Sequence, residues 1–260
     1  MKNVFKILMC CAAILFATNS FAQVKKGTKG VSIKKGTTVV KKRVVVSDPM
    51  TDAIPALNNK IAIKPTKLIR VKITTDSGVI IVKLYDSTPL HRDNFVKLVK
   101  EGFYDSLLFH RVIQGFMIQG GDPNSKNAQP GQMLGNGGGD MARIPAEFRK
   151  SLIHKKGVLA AARDGNPEKA SSACQFYIVQ GNIISDEQLN QFEMSIGMKY
   201  TPAQRLAYKT IGGTPMLDQN YTVFGEVISG LKVIDKIASV AKAPGDRPVG
   251  DVRMKMEIIK

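Results

Sequence analysis

The stretch Phe109-His110-Arg111-Val112-Ile113-Gln114-Gly115-Phe116-Met117-Ile118-Gln119-Gly120-Gly121-Asp122 places one arginine among residues that are mostly apolar, glycine or amide. No carboxylate follows Arg111 until Asp122. Short apolar runs broken by glycine predict two strands joined at a Gly115 bend, not a helix. Alternate residues of a strand share a face and the bend resets the register. Arg111, Phe116, Met117 and Gln119 are therefore expected on one side. A cation beside an apolar floor and an amide suits an uncharged, amide-containing ligand. The competing reading is a glycine-kinked pair of core strands with Arg111 in a buried ion pair.

Upstream, Leu68–Thr74 and Val79–Leu84 alternate as strands, and Asp76-Ser77-Gly78 turns them into a hairpin. Thr88-Pro89 predicts an N-cap and a proline at the first helical position. Phe95, Leu98 and Val99 supply the buried stripe and Gly102 the stop. Downstream, the glycine-rich loop through Gly135–Gly139 lacks the Gly-Lys-Ser/Thr of a phosphate cradle. Gly157–Arg163 is a smooth apolar strand ending in a charge. Gln175–Val179 alternates, with Gln175, Tyr177 and Val179 on one face and Phe176 and Ile178 on the other. Ser185 and Thr201 each open a helix with a capping-box pattern, and Gly212-Gly213 ends the second. A helical hairpin is thus expected within residues 182–213, either as a lid or extended substrate contact or as surface decoration. Leu231, Ile234 and Ile237–Ala238 predict a short helix, and Val252–Ile259 a closing strand.

The ends differ from this middle. Lys2 and Lys6 precede the apolar run Ile7–Ala17, and Ser20-Phe21-Ala22 offers small residues before a cut at Gln23. Residues 1–22 read as a secretory signal peptide, with an uncleaved anchor as the alternative. Cys10 and Cys11 lie too early in that run for a lipoprotein signal, and only Cys174 remains after cleavage. An exported chain with one cysteine has no internal disulfide, so Cys174 is expected as a small core residue. The net charge of +17 is uneven: residues 23–70 hold twelve Lys and Arg against Asp48 and Asp52, and residues 71–260 carry only +5. Residues 23–67 read as a basic, flexible arm or linker, and 68–260 as the folded domain. No aromatic residue interleaves the basic runs, so an anionic envelope surface is a better expected partner for residues 23–43 than nucleic acid.

The Phe-His-Arg, Gly-Phe-Met and Gln-Gly-Gly-Asp elements of the opening stretch resemble the signature of the cyclophilin-type peptidyl-prolyl cis-trans isomerases. The order of hairpin, helix and Phe-His-Arg strand is similar too, as is Met216-Leu217-Asp218 with Tyr221-Thr222-Val223-Phe224-Gly225. The resemblance implies a mainly β fold: a closed antiparallel eight-stranded β-barrel capped by two helices, here with an inserted helical hairpin. It implies that Arg111, Gln119 and Phe116 are catalytic, and that Met117, Ala162, Arg163, Gln175, Tyr177, Leu217 and Tyr221 bind substrate. His110 is implied as a structural neighbour of the arginine. The chain departs from the pattern at Tyr177 (phenylalanine in the family), Arg163 (commonly asparagine), Met216 (tryptophan) and Tyr221 (histidine). A hydroxyl at Tyr177 needs a partner, Arg163 favours a more acidic peptide, and loss of the indole at 216 implies weak cyclosporin inhibition.

The chemistry asks for little else. Rotation about an Xaa-Pro bond breaks amide resonance against a barrier of about 18–20 kcal/mol, and breaks no covalent bond. No nucleophile, metal or cofactor is needed, and His91, His110 and His154 show no ligand spacing. Twisting returns the lone pair to the prolyl nitrogen, which only then accepts a hydrogen bond. A guanidinium that keeps its proton is a suitable donor, a role that falls to Arg111. The expectation is a monomeric, periplasmic or envelope isomerase acting on folding exported proteins. The alternatives are a proline-peptide binding module or chaperone with little turnover, and a protein whose basic arm is the working part.

Overall fold

The computed structural model describes residues 68–260; the expected signal peptide and the basic arm through residue 67 lie outside them. The opening stretch forms β3 (Arg111–Ile113) and β4 (Met117–Gly120), with Gly115 at φ +75° in the turn between them. Around this pair the chain runs β1 (Arg70–Thr75), β2 (Gly78–Leu84) and α1 (Pro89–Lys100) before it. After it come β5 (Val158–Ala161), β6 (Phe176–Val179), α2 (Asp186–Ile196), α3 (Pro202–Thr210), β7 (Val223–Ser229), α4 (Leu231–Ala238) and β8 (Met254–Ile259).

The eight strands make one antiparallel sheet in the order β3-β4-β6-β5-β7-β2-β1-β8. The expectation of a closed barrel is corrected here: β3 and β8 are edges and share no ladder, so the sheet is open and curled. Segment 106–109 spans the gap instead. Ser106 and Phe109 donate to the Met254 and Val252 carbonyls at 2.9 Å, and Met254 donates to the Leu107 carbonyl at 2.8 Å. Ser106 sits at φ +69°, a left-handed conformation that interrupts the extended backbone at the start of this segment.

Both faces of the sheet are covered, so strand alternation sorts residues into two cores. On one face α1 and α4 pack Phe95, Leu98, Val99, Ile234 and Ile237 over Val71, Ile73, Ile80, Phe176 and Ile178. On the other lie Met117, Val158, Ala160, Ala162, Tyr177, Val179 and Val223. β6 thus shows the alternation its sequence predicts. Cys174 is buried in the first core, and burial pushes its thiol pKa up. That is the environment of an inert cysteine.

Thr88 stands at the start of α1 but its side chain makes no capping bond. Glu147 does that work from 57 residues away. Its carboxylate accepts from the Leu90 and His91 amides at 3.3 and 3.0 Å and contacts His91 Nδ1 at 2.7 Å. A carboxylate there also complements the positive end of the helix. α2 and α3 carry both capping boxes, from Ser185 with Gln188 and from Thr201 with Gln204. Their inner faces form a third cluster, in which Leu189, Met198, Tyr200 and Tyr208 meet Ile153 and Ile184. The hairpin ends at Gly213, whose backbone is pressed between two neighbours. A Cβ there would lie 2.3 Å from the His154 carbonyl oxygen.

Candidate active site

Arg111 and Gln119 are direct cross-strand partners, and Gln119 pairs in turn with Tyr177 on β6. This register carries three side chains of the second core face to one place. Arg111, Phe116, Met117, Gln119, Ala162, Arg163, Tyr177, Leu217 and Tyr221 line one cavity of about 270 Å³. Of the site residues expected from sequence, only Gln175 stands off this wall. It lies behind Gln119 and lines, with residues 135–139, an adjoining cavity of about 360 Å³.

The amides form a chain with one consistent polarity. Gln175 Nε2 donates to the Gly135 and Gly137 carbonyls, both at 2.9 Å, so its Oε1 must face Gln119. Gln119 Nε2 donates to that oxygen at 3.1 Å, which turns Gln119 Oε1 toward Arg111, whose Nη1 donates to it at 3.4 Å. Asp122 anchors the loop end by accepting from the Asn124, Gly135 and Gly137 amides. On its other side, Arg111 Nε lies 3.6 Å from Asp246. The arginine side chain remains 42% exposed, so the buried ion pair of the competing reading is not what forms. A guanidinium has five donors. With one on Gln119 and one toward Asp246, the remainder of the fork is left for a ligand.

His110 is buried beside Arg111, with no hydrogen-bond partner on either ring nitrogen. Burial pushes its pKa down to about 4, Asp122 draws it up and Arg111 pushes it further down. A histidine depressed in the fold stabilises it above the unfolded value of about 6.5, and that stability is lost as pH falls toward 4, where the unfolded chain takes up a proton first. His91, lowered by burial against the pull of Glu147, acts with the same sign. The urea midpoint is therefore expected to fall between pH 6.5 and 4, and His110→Gln to flatten part of that slope. An unchanged slope would show that His110 does not stay neutral in the fold.

The Tyr177 hydroxyl has a partner. It lies 3.0 Å from His154 Nε2, while His154 Nδ1 lies 2.7 Å from Asp218 Oδ1. The carboxylate accepts a hydrogen bond from Nδ1–H, which leaves Nε2 as acceptor for the tyrosine hydroxyl. Asp218 Oδ1 also accepts from the His154 amide at 2.7 Å, and Oδ2 accepts from the Tyr200 and Tyr208 hydroxyls at 2.7 and 2.6 Å. Burial pushes the pKa of both tyrosines up, with Asp218 adding to it, so both stay protonated donors. Tyr221 meets Tyr177 edge to face with ring centroids 5.9 Å apart, and Arg163 Cζ sits 4.6 Å over the Tyr221 ring. Arg163 is pinned further by bonds from Nε to the Asn220 carbonyl and from Nη1 to the Asp164 carbonyl, both 2.9 Å. Among the described residues no group of three or more His, Cys, Asp or Glu is placed to hold a metal ion.

Sequence reading missed three of these residues. Asp246 lies 135 positions beyond Arg111, and nothing local marks it. The hydroxyl at Tyr177 signalled that a partner was needed, but only the fold could name His154 and, behind it, Asp218.

Fold and cavity define a class: a curled antiparallel sheet carrying a cavity with an apolar floor of Phe116, Met117, Ala162 and Leu217 beside a cation that donates into a chain of amides. The family model described as cyclophilin type peptidyl-prolyl cis-trans isomerase/CLD matches residues 70–258. The chain belongs to this family, and its enzymatic class is peptidyl-prolyl cis-trans isomerase. It is 36% identical over 210 residues to a protein of Staphylococcus saprophyticus that carries the name of a peptidyl-prolyl cis-trans isomerase, covering 79% of this chain and 98% of that one. A protein of the same name from Staphylococcus haemolyticus is 35% identical over 199 residues, covering 76% and 93%. The crystal structure of a Cryptosporidium parvum cyclophilin-type isomerase shares the fold, with a TM-score of 0.56 and 23% identity over 75% of this chain and 99% of that one. The same protein in the presence of the dipeptide Ala-Pro gives 0.53 and 22%, over 74% and 99%.

Proposed function

We propose that this chain accelerates Xaa-Pro isomerisation in exported proteins as they fold, with Arg111 donating to the prolyl nitrogen of the twisted amide. The observation that carries the reading is the guanidinium in a cavity floored by Phe116, Met117, Ala162 and Leu217, held there by Gln119 with Gln175 behind it. The cavity of about 270 Å³ has room for a proline ring and the residue before it. Phe116, Met117, Ala162, Tyr177 and Leu217 hold the ring by apolar contact while the preceding carbonyl swings. Holding one end of the rotating bond in place is the positional part of catalysis. The nitrogen accepts only when pyramidal, so the Arg111 bond forms in the transition state and not with either planar isomer. The dipeptide Ala-Pro, in whose presence the Cryptosporidium relative was crystallised, is of the substrate type that this pocket would take.

Export rests on residues 1–22, and the arm is read as a tether to anionic envelope surface through its basic runs between 23 and 43. Each Lys or Arg near such a surface contributes about 1 kcal/mol, which falls with added salt. The test compares residues 23–260 with residues 68–260 in a proline-peptide isomerisation assay and in binding to vesicles containing phosphatidylglycerol. Removal of the arm is expected to leave the rate within about twofold, since β1 begins at Arg70, and to abolish vesicle binding. A folded 23–260 chain that binds proline peptides without turnover would favour the binding-module reading.

A further inference from the structure

We propose that the helical hairpin α2–α3 positions the wall of the proline cavity, through a buried hydrogen-bonded chain that ends on Tyr177. The inference rests on the assignment of that cavity as the proline site. The chain runs from the Tyr200 and Tyr208 hydroxyls to Asp218 Oδ2, from Asp218 Oδ1 to His154 Nδ1, and from His154 Nε2 to the Tyr177 hydroxyl, with no step longer than 3.0 Å. Tyr208, Asp218 and His154 are 0% exposed, Tyr177 4% and Tyr200 6%, so water is poorly placed to replace a lost partner.

Asp218 is the branch point. One oxygen serves the sheet side through the amide and ring of His154, and the other serves only the hairpin. The carboxylate is therefore aimed from both sides, and its orientation sets that of the imidazole. The imidazole lies nearly parallel to the Tyr177 ring, with centroids 6.1 Å apart and 14° between planes, so the two are joined edge to edge by the hydroxyl bond, and a shift of the imidazole reaches Tyr177 through it. The hairpin end is itself fixed. Glu193 on α2 accepts from the Tyr200 amide and from Arg205 Nη1 of α3, both at 3.0 Å.

A hairpin that served only as decoration would need no more than its apolar cluster of Leu189, Met198, Ile153 and Ile184. Two tyrosine hydroxyls converging on a single carboxylate oxygen add nothing to apolar burial. Bonds to an ionised acceptor are shorter and stronger than neutral ones, and they add direction. In this arrangement Tyr200 and Tyr208 are positioning residues: they touch no substrate and act on the pocket through Tyr177. α2–α3 thus sets how tightly the proline ring is gripped, while Arg111 and Gln119, on β3 and β4, set the chemistry.

The test uses the chain from Gln23 to Lys260 and the pair Tyr200→Phe with Tyr208→Phe, made in two backgrounds: the parent and Tyr177→Phe. NMR exchange on a short Ala-Pro-containing peptide reads affinity and turnover from one sample, and melting curves check folding. In the parent background the pair is expected to weaken peptide binding about fivefold, the scale of one hydrogen bond, with turnover of bound peptide within twofold. In the Tyr177→Phe background, where the connection is already cut, the same pair should change affinity by less than twofold. The Tyr177 ring resonances of the parent should also move when the hairpin pair is introduced, with or without peptide.

Unchanged affinity and unmoved Tyr177 resonances in a folded hairpin variant overturn the proposal. An equal loss in both backgrounds overturns it as well, because the hairpin would then act by general loosening. If the parent fails to turn the peptide over, the reading of Arg111 as catalyst fails separately. Affinity and the Tyr177 resonances still decide the role of the hairpin.

Discussion

Arg111→Ala is expected to lower the rate of prolyl isomerisation by about a hundredfold to a thousandfold, the range seen when one preorganised transition-state donor is removed. Peptide affinity should stay within a few-fold, because the bond in question does not exist with either planar isomer. Stability should barely move. The side chain is 42% exposed, its approach to Asp246 is 3.6 Å, and such exposed pairs contribute about 0–1 kcal/mol. Arg111→Lys is the sharper version of the experiment. It keeps the charge but replaces a planar fork held by Gln119 with a flexible point donor, so it should recover only a small part of the loss. Full recovery by lysine would mean that charge alone matters. Turnover near the parent level in folded Arg111→Ala would remove Arg111 from the mechanism and leave the apolar grip as the catalyst.

How far this site could be read from sequence depends on the range of the interactions that build it. The Gly115 bend and the alternation of β4 and β6 are local, so Arg111, Met117 and Gln119 could be assigned to one face, and Tyr177 to a face with Gln175, before any fold was known. That both faces line one pocket followed only from the family resemblance. The capping boxes at Ser185 and Thr201 are equally local, and both formed. What failed was non-local. Thr88 occupies the N-cap position with Pro89 after it, as the sequence indicates, yet the bonds to the first amides come from Glu147, because the fold brings a carboxylate to the helix end. Closure of the barrel failed for a related reason. It depends on how two distant edges meet at residues 106–109 and 252–254, where a few backbone bonds form in place of a ladder between β3 and β8. Asp246 and the His154–Asp218 pair belong to the same group. Each acts across tens of residues and none has a spacing that would reveal it.

Asp218→Ala is expected to be the most destabilising single change near the site, at about 4 kcal/mol, because it removes one partner from a buried charged network. Four donors lose their acceptor together: the His154 amide, His154 Nδ1, and the Tyr200 and Tyr208 hydroxyls. Each orphaned buried group costs about 1–3 kcal/mol, and the costs overlap because the groups share one cavity into which they relax. A loss of 4 kcal/mol is a large part of the roughly 5–15 kcal/mol that separates most folded domains from their unfolded chains. For a domain of this size it corresponds to a fall in melting temperature of roughly 8–16 °C. Asp218→Asn should cost less, since its carbonyl still accepts from His154 and a tyrosine oxygen accepts from its amide. The measurement is a urea titration at pH 7 with unchanged slope, which separates lost stability from a change in the unfolded chain. A loss under 1 kcal/mol for Asp218→Ala would show that the network is not held by its carboxylate. The expected ordering, Ala well below Asn and Asn below the parent, follows from counting orphaned donors. It also sets Asp218 apart from Arg111, since one change is expected to leave a stable protein that turns over slowly and the other an unstable protein whose Arg111 is intact.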